Sequence, residues 1–174
     1  VRKSAGRALV SMIDRLPLEQ RNEIAVELSK GLEIGDYRFS KYIPDYLGVL
    51  MLHLPPRELD ELLLDLAKFF SSTNSQVVGA VLHTLGVVLE HYDRYQSLFG
   101  TQESAAARDR RKYKILSLIV RGFANYDDAI SQEALWSIGM NLFGSAKLSL
   151  AEKYDLFCHC GKRILTLYES QREN

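Results

Sequence analysis

The sequence predicts an all-α protein, a right-handed α-solenoid of about eight helices in antiparallel pairs. Three observations predict it. A ten-residue pattern recurs at 1–10, 39–48, 77–86 and 130–139, with starts 38, 38 and 53 residues apart, and a period of that size marks stacked helical repeats. Within each copy the opening residue is apolar. The fifth (Ala5, Ile43, Val81, Ala134) and the ninth (Leu9, Leu47, Leu85, Ile138) fall on the same helical face a turn and two turns later. Lastly, the period-two alternation that a sheet needs is missing throughout.

The partner helix of each repeat is found by reading backwards from the pattern. Leu62, Leu63, Leu66 and Phe70 occupy the same repeat positions as Ile115, Leu116, Ile119 and Phe123, and Ile24, Leu28 and Leu32 match Leu62, Leu66 and Phe70. Steps of four residues put these groups on one stripe. Between the two helices, Asp36, Asn74 and Asp127 share a position suited to an N-cap. The expected helices are 2–15, 17–32, 38–53, 56–70, 75–95, 108–124, 128–143 and 149–169. Pro17 and Pro56 fall in first turns, where a missing N–H does no harm. Pro44 falls a turn and a half inside its helix, so that helix starts late or bends. Ser149-Leu150-Ala151-Glu152 is a capping box for the last helix. A single domain over 1–174 results: a half repeat 1–16, repeats 17–53, 56–95 and 108–143, and a capping helix 149–169. Leu66, Phe70, Leu85, Ile119, Phe123 and Ile138 are expected to be buried.

Composition bounds the function. The chain has 174 residues, 47% of them hydrophobic and 25% charged, as in a folded globular domain. Its 22 basic and 22 acidic residues cancel, which gives no general attraction to phosphate or anionic lipid. No apolar run approaches the ~20 residues that cross a bilayer, so no membrane partner is expected. Cys158 and Cys160 are too close for an easy bridge, and a reducing cytoplasm is the expected compartment. Position 1 is a valine already inside a repeat motif, so the chain reads as a piece of a longer protein.

The repeat resembles the HEAT-repeat family, within the class shared with armadillo repeats. Val1-Arg2 with Ala5, Ala8 and Leu9 is the copy most like the family's Val-Arg-x-x-Ala-x-x-Ala-Leu-Gly pattern, and Val77 with Leu85-Gly86 is the next. Ser40, Val78 and Ser131 stand where the family carries arginine. The resemblance implies a protein-binding α-solenoid and no single biochemical activity.

Candidate chemistry is sparse. Residues two apart on a helix point about 200° away from each other, so Cys158 and Cys160 cannot both reach one ion, and no second ligand pair stands at usable spacing. Both cysteines read instead as small buried groups. His83 and His91, eight residues apart, read as surface or groove histidines. Glu58, Asp60, Glu61 and Asp65 read as a solvated helix face. No phosphate loop, nucleophile constellation, metal site or cofactor site emerges, and an enzyme is not expected.

The expected function is therefore non-enzymatic scaffolding, with a partner protein held on the concave face of the second helices. Repeat position assigns Lys3, Arg7, Lys41, Asp45, His83, Gln132 and Trp136 to that face. His83 and Trp136 share one slot in adjacent repeats, and Trp136 is either a groove anchor or a core residue. The alternative is nucleic-acid binding of the kind seen in DNA glycosylases built on this superhelix. It would use Arg108, Arg110, Arg111, Lys112 and Lys114, five cations set against Asp109 where an insertion between residues 91 and 112 ends. An apolar surface around Val1, Ala5, Ala8, Leu9 and Met12 is expected to lack a cover, which allows an end-to-end dimer without biological meaning.

Overall fold

The computed structural model describes residues 2–36, 41–92, 103–124, 149–151, 154 and 158. Among them are six α-helices, three short 3₁₀ turns and no strand. Helix α1 (Arg2–Met12) tightens into a 3₁₀ turn at Ile13–Arg15, and α2 (Leu18–Lys30) into one at Gly31–Ile34. Helix α3 is Ile43–Met51, and α4 (Pro56–Lys68) ends in a third 3₁₀ turn at Phe69–Ser71. Helices α5 (Ser75–Glu90) and α6 (Ala105–Ala124) follow. The tighter turns satisfy carbonyls that the last turn of an α-helix leaves over. Gly35, at φ 61°, supplies the left-handed residue that closes the second of them.

Helix starts follow local chemistry. Pro17 is the residue before α2, Pro56 is the first of α4, and Pro44 is the second residue of α3. Pro44 thus sits in a first turn after all, because α3 begins at Ile43 and not at 38. The Asn74 side chain caps α5 by accepting from the Gln76 N–H at 3.0 Å. Helix α6 starts at Ala105 and not at 108, since Ser104 Oγ accepts from the Ala107 N–H at 3.2 Å and three alanines then propagate readily. Helix α5 ends at Glu90 and not at 95, because the chain turns at His91, whose N–H still donates to the Val87 and Leu89 carbonyls. Residues 37–40 beside Asp36, the cap expected at Asp127 and the helix at 128–143 lie outside the described residues. Of the last expected helix, Leu150, Ala151, Tyr154 and Cys158 are helical.

Helix α1 packs on α3 and α3 on α5, while α2 packs on α4 and α4 on α6. Contacts between α2 and α3, and between α5 and α6, join the two series. One core runs through them. It takes Leu47 and Leu50 from α3, Leu59, Leu63 and Leu66 from α4, Val81, Leu82 and Leu85 from α5, and Ile115 and Ile119 from α6. Phe70 and Leu32 are buried in it, and Ile24 and Leu28 are partly buried against it. The side chain of Phe123, and Ile138, lie outside the described residues.

Two features fix the spacing of neighbours. At Gly48, a Cβ would lie 2.6 Å from Val87 Cγ1 and 3.1 Å from the Thr84 carbonyl oxygen, so α3 and α5 approach closely only because this position has no side chain. At the other end, Arg21 of α2 donates to the carbonyls of Leu16 (2.9 Å), Asp14 (2.9 Å) and His53 (3.3 Å). His53 Nδ1 adds a 2.8 Å bond to Asp14 Oδ1, tying the turn after α1 to the turn after α3. On the outer side of α1, Ala5, Ala8 and Met12 are exposed and Leu9 is half-buried, while Val1 lies outside the described residues.

Candidate functional site

Arg7, Asp45 and His83 occupy one repeat slot on α1, α3 and α5, each 38 residues from the next. The packing of α3 on α5 brings two of them together: His83 Nε2 lies 3.0 Å from Asp45 Oδ1. Both stay open to solvent, His83 in part and Asp45 mostly, so the pair is a polar link on an accessible surface. Arg7 is exposed on α1. Lys41 is exposed just before α3, with its ammonium 4.9 Å from the centre of the Tyr42 ring. Lys3 lies on α1 with a side chain outside what is described, and Gln132 and Trp136 lie outside the described residues. Histidine, carboxylate and cation together can accept and donate hydrogen bonds to a peptide surface. Among the described residues, no group of three or more His, Cys, Asp or Glu could hold a metal ion.

The five-cation cluster is divided by the fold. Arg111 turns inward, is 5% exposed, and sets its guanidinium between two carboxylates and the Tyr92 hydroxyl. Its Nε and Nη2 donate to the two oxygens of Asp60 at 2.9 and 3.2 Å, and Nη1 donates to Glu103 Oε2 at 2.7 Å. Nη1 also reaches the Tyr92 hydroxyl at 3.4 Å, and that hydroxyl donates to the Arg108 carbonyl at 3.0 Å. Arg108 in turn donates through Nη1 to the Glu103 carbonyl at 3.0 Å. Arg111 is therefore not a phosphate contact: a bidentate carboxylate clamp in a buried setting neutralises it. Asp60, expected on a solvated face, is one jaw of that clamp, while Glu61 and Asp65 pair with Arg57 and Lys68 on the surface. Arg110 is exposed, and Lys112 and Lys114 are partly so.

Burial pushes the Tyr92 hydroxyl above its ordinary pKa, with the Arg111 hydrogen bond and charge acting against it. The folded chain then holds this proton more tightly than the unfolded chain does. Stability from Tyr92 is fully present below about pH 10 and is lost as pH rises beyond it. Urea midpoints measured from pH 8 to 11 should fall further for the natural chain than for Tyr92→Phe; equal slopes would exclude the effect.

Cys158 is exposed, contrary to the expectation of a small buried group. Cys160 lies outside the described residues. No described helix is long and apolar enough to cross a membrane. Comparison with known proteins finds no family model, no curated protein and no solved structure that matches the chain.

Proposed function

We propose that this chain is a non-enzymatic protein-binding module, a right-handed α-solenoid of HEAT-like repeats that holds a partner protein along the face formed by α1, α3 and α5. The observation that carries the reading is the Asp45–His83 contact. Two residues a full repeat apart meet side by side, as stacked second helices in register require, and they leave polar groups at the surface. Arg7 and Lys41 extend that surface toward α1. Stacked repeats bury one stripe per helix and offer the rest as a long contact area, which suits recognition of an extended partner segment.

A photo-crosslinking amino acid placed at Asp45, and separately at Leu64 on α4, tests this in cells that express the chain. A specific partner adduct is expected from position 45 and not from 64, and Asp45→Lys with His83→Glu should lower partner capture about ten-fold or more. Adducts arising chiefly from position 64 would place the working surface on the other helix series and overturn the proposal.

A further inference from the structure

The outward face of α6 carries an arrangement found on none of the other five helices. Arg110, Tyr113, Lys114, Ser117 and Arg121 recur at steps of three, four and seven residues, so they share one stripe. The first and last are 11 residues apart, about 16 Å along the axis. Arg110, Tyr113, Ser117 and Arg121 are exposed, and Tyr113 is 65% exposed, the largest exposure of any aromatic residue on the six helices. The stripe lies opposite the buried side of the helix, which holds Arg111, Ile115, Leu118 and Ile119.

Three helical surface cations elsewhere are neutralised locally, Lys30 by Glu27, Arg57 by Glu61 and Lys68 by Asp65, while α1 also sets Lys3 and Arg7 one turn apart with no carboxylate but carries no aromatic residue beside them. On α6 the positions one turn away from Arg110, Lys114 and Arg121 hold Ala, Tyr, Arg, Lys, Ser and Leu, never a carboxylate. Arg110 and Lys114 even face each other as a like-charged pair one turn apart, which opposes helix formation. Arg121 lies with its guanidinium 6.0 Å from the centre of the Phe70 ring, which keeps its charge. A neutral chain that concentrates cations without carboxylate partners on one face has a local field for a polyanion despite its zero net charge.

We propose that this face of α6 binds single-stranded nucleic acid, with Arg110, Lys114 and Arg121 against phosphates of one strand and Tyr113 stacked on a base. The exposed ring decides between polyanions. An acidic peptide or a duplex backbone would use the cations alone, whereas a flat aromatic side chain flanked by cations matches a strand whose bases are unstacked. The stripe belongs to the helix series α2, α4 and α6, so this activity is independent of protein binding on α1, α3 and α5.

The test is fluorescence anisotropy of the full chain with a labelled oligothymidylate of about 16 nucleotides, at about 50 and 200 mM salt. Saturable micromolar binding is expected. Three phosphate contacts at about 0.7 each give a log–log salt slope of about −2. Arg110→Ala with Lys114→Ala should bring that slope to about −0.7. Tyr113→Ala should weaken binding by roughly ten-fold without changing the slope. All three positions are at the surface, and far-UV circular dichroism verifies that the variants stay folded. Absence of saturable binding at the lower salt, affinity unchanged by Tyr113→Ala, or equal affinity for a labelled polyglutamate would each overturn the proposal, the last in favour of an acidic protein.

Discussion

Replacing Arg111 with methionine should destabilise the fold by about 3 kcal/mol, with an unchanged denaturant slope in urea. The side chain is buried beneath Glu103, whose own side chain is 9% exposed, and beside Tyr92, which is 1% exposed. Removing the guanidinium strands the Glu103 carboxylate without its counter-charge. Asp60, open on one side, can turn to water, which holds the loss at the lower end of what a broken buried pair costs. The triple change Arg111→Met, Glu103→Gln and Asp60→Asn should recover most of the loss, because no charge is then left buried alone. A single variant as stable as the natural chain would show that Glu103 re-solvates freely, and the clamp would then contribute nothing to the fold.

Leu85→Ala should cost about 2–5 kcal/mol, and Leu64→Ala within about 0.5 kcal/mol. Leu85 is completely buried on α5, a helix that packs on both α3 and α6, so its truncation leaves a cavity inside the core. Leu64 is 52% exposed on α4 and leaves no cavity. The same chemical change thus separates packing from helix propensity, which favours alanine slightly at both sites. Midpoints of thermal or urea unfolding check the pair. Equal small effects would mean that α5 is not the centre of the core.

The helical stripes were legible because they are local. Leu62, Leu66 and Phe70, and Ile115 and Ile119, repeat every four residues and are buried. The Asn74 cap was legible from one residue type at one position. Asp45 and His83 were assigned to one face by their 38-residue spacing, but that they touch became visible only with the packing of α3 on α5. Arg111 was misjudged because charge was counted along the chain. Its partner Asp60 stands 51 residues away, and no local pattern announces a clamp of that range. The start of α6 was missed because Ser104 and the alanines after it look like a connector until the Ser104 cap is seen. What α6 shows to solvent became visible only once Arg111 had been removed from the count.

Arg21 has a consequence for how the molecule comes apart. Its guanidinium holds carbonyls from two corners at once, at Asp14 and Leu16 on one side and His53 on the other. A helix held only by its own packing contacts can open by itself, and local opening energies differ from one element to the next. A side chain shared between corners removes that independence. Lifting α1 away strips Arg21 of two acceptors and loosens the third, so the corner before α4 gives way with it. The described residues from α1 to the corner before α4 then open as one cooperative block, and amide exchange there follows a single plateau and not a gradient.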